Sequence, residues 1–345
     1  MDTHKLVHVA VGLDADGGVI GGCDFPADTA GYHRLLDWAG ALGATAGSAG
    51  AVLLGVEGTG SYGAGLTLAA RQRGFDVVEV VRPDRRDRRL RGKSDSLDAE
   101  NAARAVLSGQ VAAAPKTADG VVEMIRQVKV AKDGAVKART ATMNSLRAVL
   151  VNAPAELREA LEPLTKMELI HRCSGLRPGT VTTLTASTKY TLRAIARRWE
   201  QLADEVKEHE DLLGVLVERI APQLLAAFGV GPDSAAALLI AAGDNAARIH
   251  SEPGWAMMCG VAPIPASSGM TTRYRLSRGG NRQANAALYR VIISRIQHHD
   301  QTKTYLARRT SEGKTKPEII RSLKRLLARE IWALLRPLRA VPTAA

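Results

Sequence analysis

The apolar run A-V-L-L-G-V at 51–56 ends in Glu57 and opens at once into G-T-G-S-Y-G. A short apolar run closed by a glycine-rich turn reads as a buried strand. A carboxylate therefore stands at the carboxyl end of a strand, which is where open α/β sheets bind their ligands. That placement restricts the amino-terminal part of the chain to a sheet with a polar working edge.

Three further carboxylates join it. Asp2 lies at the start of the sequence, and Asp95 and Asp98 lie in R-G-K-S-D-S-L-D-A-E. Residues three apart share a helix face, so a helix starting at this point presents both acids near its amino terminus. The stretch reads equally as an ordinary cap, with Ser94 or Asp95 at the N-cap and an acidic first turn favoured by the helix dipole. The order of the four acids suggests a metal-dependent nuclease of ribonuclease-H-like fold, which would gather them from the first strand, the strand ending at Glu57 and the last helix. Clustered carboxylates repel unless a cation neutralises them, and hard oxygen ligands select Mg2+ or Mn2+.

The formal net charge of +12 implies a polyanionic partner, nucleic acid first. The charge is uneven: residues 270–345 hold seventeen Lys and Arg against four Asp and Glu, a larger excess than that of the whole chain. Cys23, Cys173 and Cys259 are too far apart in sequence for a disulfide framework or a zinc pattern, and they read as buried or inert thiols in a reducing compartment. No apolar run reaches the roughly 18 residues of a membrane span, and the start lacks a signal-peptide layout. The expectation is a soluble intracellular protein with no membrane partner.

Three regions follow. Residues 1–112 alternate strand and helix patterns: a hairpin from H-V-A-V-G-L-D through A-D-G-G to V-I-G-G-C-D-F, a helix over 30–42, the strand before Glu57, a helix, the strand F-D-V-V-E-V-V and the Asp95 helix. This order resembles ribonuclease-H and RuvC-like domains. With only Met1 ahead of Asp2, the pattern predicts a truncated first strand, hence either a start further upstream or a crippled copy. Residues 113–220 read as helical, with apolar stripes over 121–146 and 192–213 interrupted by Pro154, Pro163 and R-P-G at 177–179. They form either a coiled-coil-like arm that pairs or oligomerises or a plain helical domain. Residues 221–345 form a mainly α, basic domain. It opens on F-G-V-G-P-D-S, which resembles a helix-hairpin-helix whose turn can grip a phosphate, although a plain helical hairpin reads similarly.

Taken together, D-T-H-K at 2–5, V-E-G-T-G-S-Y-G at 56–63, R-P-D-R-R-D-R-R-L-R-G-K-S-D-S-L-D-A at 82–99, and G-V-A-P-I-P-A-S-S-G with R-L-S-R-G-G-N-R at 260–282 resemble the insertion-sequence transposases of the IS110 type, bridge-RNA-guided DEDD recombinases. The resemblance covers nearly the whole chain. It implies a RuvC-like domain joined by helices to a transposase domain carrying a serine nucleophile. Its catalytic and metal-binding carboxylates fall on Asp2, Glu57, Asp95 and Asp98, and its serine on Ser268, with Ser267 as the immediate rival. It further implies a phosphoserine–DNA intermediate, donor and target DNA and a structured guide RNA as partners, and a homo-oligomer from dimer to tetramer. The setting would be the prokaryotic cytoplasm, associated with the nucleoid.

The basic residues fit roles beside such a site. Arg85, Arg86, Arg88, Arg89, Arg91 and Lys93 precede Asp95, and Arg273, Arg275, Arg278 and Arg282 follow Ser268. Each group is placed to hold phosphates, and a solvated charged loop accounts for the first group as well. Two other functions stay in competition. One is a hydrolytic RuvC-like structure-specific nuclease that uses water in place of serine. The other is an inactive remnant that binds nucleic acid.

Overall fold

The computed structural model describes residues 1–45, 52–80, 94–109, 113–245, 248–270, 274–277 and 279–340. The described residues form two compact units, one of Met1–Gly120 and Ala242–Ser251, the other of Val121–Ala241 and the described chain within Glu252–Val341.

In the first unit, β1 (Asp2–Thr3), β2 (Val7–Leu13) and β3 (Val19–Pro26) form an antiparallel ladder, and β4 (Leu53–Glu57) pairs with β5 (Asp76–Val80) in parallel. The hairpin between β2 and β3 closes where A-D-G-G predicts it. The Asp14 carboxylate accepts the amides of Asp16 and Gly18, and Gly17 takes a φ of 87° that a side chain would oppose. The two ladders are stitched by the first residue: the Met1 amino group donates to the Gly55 carbonyl at 2.9 Å, and the Glu57 amide donates to the Met1 carbonyl at 3.2 Å. The strand sequence across the unit is thus β3-β2-β1-β4-β5.

Asp2, which the sequence left without a supporting strand, stands on one of two residues. Hydrogen bonds from β2 and β4 on either side hold it, and those depend on the neighbours and not on the strand's own length.

Helices α1 (Thr29–Thr45), α2 (Ala64–Gln72) and α3 (Asp95–Leu107) cover this sheet. α1 buries Gly31, Leu35, Leu36 and Ala39, a single stripe that joins Ala10, Phe25, Leu54, Val56, Leu66 and Ala70 in one core. Each fully buried leucine contributes about 1.5–3 kcal/mol by leaving water. α3 comes close to the sheet because the groups between them are small. It buries Ala99 and Ala102, and Gly55 of β4 leaves space into which a Cβ would come within 2.6 Å of the Val106 side chain.

The second unit is helical apart from one hairpin. α4 (Val121–Val151) and α7 (Leu184–Ile220) are long, about 46 and 55 Å at helical rise. They run antiparallel, since Lys132 meets Glu210 at one level while Met143, Leu146, Leu192 and Trp199 share a core at another. α5 (Ala155–Leu161) follows Pro154, and α6 (Lys166–Ser174) starts in a capping box of Thr165 and Glu168. After α8 (Pro222–Ala226), α9 (Pro232–Ala242) and α10 (Glu252–Met258) come the strands β6 (Pro263–Pro265) and β7 (Tyr274–Leu276), then α11 (Arg282–His298), α12 (Asp300–Ser311) and α13 (Lys316–Ala340).

The turn between α8 and α9, a helix-hairpin-helix or a plain helical hairpin by sequence, leads into a first helical turn that carries Asp233, whose carboxylate accepts Lys129 at 2.9 Å, Lys132 at 3.0 Å and Arg290 at 2.8 Å. Lys129 and Lys132 are each 5% exposed, so one carboxylate ties two buried cations of α4 to α9 and α11. Burial acts to raise the Asp233 pKa, and the hydrogen bonds from the two lysines outweigh it, leaving the carboxyl below its ordinary value of 3.8.

Replacing Asp233 by asparagine leaves two buried ammonium groups short of a partner and is expected to lower stability by about 3 kcal/mol, read from the denaturant midpoint. The wild-type contribution is whole above the ordinary carboxyl value and is lost as pH falls through the lower folded value. A pH series of melts should therefore show a steeper acid-side decline in the native chain than in the Asp233→Asn variant.

Candidate active site

Asp2 and His4 sit two residues apart at the end of β1, and the His4 Nε2 lies 3.1 Å from an Asp2 carboxylate oxygen. The same nitrogen lies 3.6 Å from Asp95. One potential ligand atom from each of Asp2, His4 and Asp95 lies within 4.8 Å of the others. The Asp2 side chain is 11% exposed, whereas those of His4 and Asp95 are about half exposed, so the group is backed by the sheet and open on one side.

Local structure sets each position. The Ser94 hydroxyl accepts the Leu97 amide at 3.2 Å, starting α3 so that Asp95 and Asp98 fall in its first turn. The cap and the acidic site, alternatives on the sequence alone, coexist: Ser94 does the capping and Asp95 is left to face His4. Asp98 is on the side of α3 turned to the sheet, 2% exposed. Glu57 ends β4, and its carbonyl accepts the Thr3 hydroxyl at 2.8 Å, fixing β1 and the end of β4 side by side. Burial pushes the Met1 amino group down to about 6, and Asp2 and Glu57 both act to pull it back up, so their charges bear on one point.

The structure thus draws Asp2 and Asp95 together, with Asp98 buried in the same first turn of α3 and Glu57 at the end of the neighbouring β4. His4 was missed as a participant. The signal for it was present in D-T-H-K, where a spacing of two puts an imidazole beside an aspartate on a strand. The donor set, carboxylate oxygens with one imidazole nitrogen, fits a divalent cation of the Mg2+ or Mn2+ kind, the imidazole shifting the balance toward Mn2+.

Ser267 and Ser268 belong to the second unit, exposed in the loop that follows β6. The β6–β7 ladder pairs Pro263 with Leu276, Ile264 with Arg275 and Pro265 with Tyr274, so this loop is the tip of a hairpin. Its base is rigid. Gly280 packs on Gly260 so closely that a Cβ would lie 2.2 Å from the Gly260 nitrogen, and Asn281 caps α11 by accepting the amides of Gln283 and Ala284. Asn285 donates to the carbonyls of Cys259 and Gly260. The G-G-N-R block is therefore a docking point for the start of α11, which its arginines alone did not reveal.

Arg275 and Arg282 are exposed. Arg282 opens α11, where the helix dipole disfavours a cation. Arg85, Arg86, Arg88, Arg89, Arg91, Lys93, Arg273 and Arg278 lie outside the described residues. Burial raises the thiols of Cys173 and Cys259 to about 11 and about 12, while Cys23 is exposed on β3. Among the described residues no helix is long and apolar enough to cross a membrane.

Residues 1–153 match the model of DEDD transposases of IS110 elements, described as "Transposase", and residues 221–307 match the one described as "Transposase IS116/IS110/IS902 family". Both units thus carry transposase segments. The two matched segments are both similar to transposases of the IS110 family. The chain is similar to the "Insertion element IS110 uncharacterized 43.6 kDa protein" of Streptomyces coelicolor, 30% identical over 118 residues, which are 34% of this chain and 29% of that protein. The match therefore spans less than a third of the relative's length.

His4 bridges two carboxylates that a cation would otherwise have to gather. Its replacement by alanine is expected to weaken Mn2+ binding about tenfold, measured by calorimetric titration of the full chain.

Proposed function

We propose that this chain is a DNA transposase that cuts and rejoins the strands of its own insertion sequence, directed by an element-encoded guide RNA. The observation that carries the reading is the convergence of Asp2, His4 and Asp95 at the end of a strand, with Asp98 in the same helical turn as Asp95 and Glu57 at the end of the adjacent β4. The strand sequence β3-β2-β1-β4-β5, with β2 antiparallel to its neighbours, supports reading residues 1–112 as a ribonuclease-H or RuvC-like domain. Residues 113–220 would act as the helical arm and 221–345 as the domain that holds the nucleophile.

Asp2, Glu57, Asp95 and Asp98 would hold Mg2+ or Mn2+, and His4 would fix the angle between Asp2 and Asp95. Bound there, the ion supplies positive charge against the anionic groups of phosphoryl transfer. Ser268, with Ser267 beside it, supplies the nucleophilic oxygen. As that oxygen bonds to phosphorus, one strand ester bond breaks; the serine proton passes to a base, and the released strand end takes up a proton. One phosphoester replaces another, so rejoining requires no nucleotide cofactor. The exposed hairpin tip suits this role, since a nucleophile for a polymer must reach out of the fold. A dimer or tetramer is part of this reading. So are a nucleoid-associated place in a prokaryotic cytoplasm and phosphate contacts from the arginines of 85–93 and 273–282.

A hydrolytic nuclease would use the same carboxylates with water. The test incubates the full chain with Mg2+, flanking RNA and labelled donor and target DNA and looks for protein–DNA adducts that survive denaturation. The expected result is an adduct lost in both Ser268→Ala and Asp95→Ala. Cleaved ends without an adduct, undiminished in Ser268→Ala, would replace this reading with the hydrolase; binding without cleavage would leave an inactive remnant.

A further inference from the structure

The second unit holds a cleft of about 810 Å³ between the β6–β7 hairpin and the helices α12 and α13. Arg275, Arg309, Lys314, Arg321, Lys324 and Arg325 line it, against one carboxylate, Glu318. That carboxylate is engaged in the first turn of α13, where it accepts both the Thr315 amide at 2.9 Å and the Thr315 hydroxyl at 2.7 Å.

The cations are only partly matched. Arg309 pairs with Glu312 and Arg325 with Glu252. Among the described residues, Arg275, Lys314 and Arg321 make no ion pair. Lys324 is 8% exposed and donates to the neutral Asn285 side chain at 2.9 Å. Burial and the nearby Arg321 both push its pKa down, as befits a cation held among cations. A concave wall of one sign focuses potential and favours the entry of a repeating anion.

Two features say which anion. Tyr274, 64% exposed, stands among the cations and offers a ring on which an unpaired base can stack, while the half-buried Tyr305 ring beside it carries the Arg308 guanidinium 5.4 Å from its centre. The hairpin wall runs through Pro263, Tyr274 and Arg275 directly into the loop of Ser267 and Ser268. We propose that this cleft grips the phosphodiester backbone of a single DNA strand and leads it to the serine loop. The assignment of DNA rests on the transposase reading above, while the phosphate-binding cleft stands on its own charges.

The experiment measures binding of the full chain to fluorescein-labelled single-stranded DNA by anisotropy across a salt series, beside RNA of equal length. Lys314 and Arg321 are exposed, and the double variant Lys314→Ala/Arg321→Ala should keep the thermal melt of the native chain. Its slope of log affinity against log salt on DNA should become shallower by about 1.4, the loss of two phosphate contacts on a single strand. An unchanged slope on both polymers overturns the cleft, and a change confined to RNA overturns its assignment to DNA. Asp95→Ala should keep the native slope while losing the adduct. If the native chain forms no adduct and the double variant still loses slope, the transposition chemistry fails and the phosphate cleft survives.

Discussion

Two residues hold the first unit's two ladders together. β1 consists of Asp2 and Thr3, yet it pairs with β2 on one side and, through Met1 and the Thr3 hydroxyl, with β4 on the other. Every carboxylate of the candidate site takes its position from that junction. Asp2 rides on β1, Glu57 ends the strand stitched to it, and α3 can bring Asp95 and Asp98 up only because Gly55, Ala99 and Ala102 leave no bulk between helix and sheet. Gathering negative side chains is unfavourable. The His4 Nε2 lies beside two of them, and the outer side is open, where a cation can enter.

The second unit solves the opposite problem. α4 buries two lysines, and Asp233 and Glu210 neutralise them, so ion pairs lock α4 to α7, α9 and α11. Toward the carboxyl end the balance changes. α13 buries Ile319, Leu323, Leu327, Ile331 and Leu335 in a single stripe and leaves cations at Arg321 and Arg325 to line a cleft with few acids. Positive charge in this protein therefore has two uses, one structural and paired inside the helices, the other turned toward a polyanion.

Much of this could be read in advance where periodicity or turn chemistry is local. The hairpin of β2 and β3, the strand closed by Glu57, the α3 start at Ser94 and the two long amphipathic helices all followed from spacing and caps. Cys23, expected to be buried or inert, is exposed on β3 although it shares the strand face of the buried Phe25, a difference that strand alternation does not show. Two residues past the glycine-rich turn before α9, Asp233 pairs with lysines about a hundred residues earlier in sequence, a contact no local pattern shows.

The sequence by itself carried the alternating strand and helix pattern of the amino-terminal unit, the order of its four acids and the basic carboxyl-terminal region, because these depend on residue type and short-range spacing; the serine pair came from the family resemblance, and its exposure from the structure. Only the tertiary structure decided that β1 is held from both sides, that His4 joins Asp2 and Asp95, that Asp233 is spent on buried lysines, and that cations from three separate segments line one cleft. Such facts arise from hydrogen bonds and charges brought together across dozens of residues, and long-range contacts of that kind leave no period in the chain.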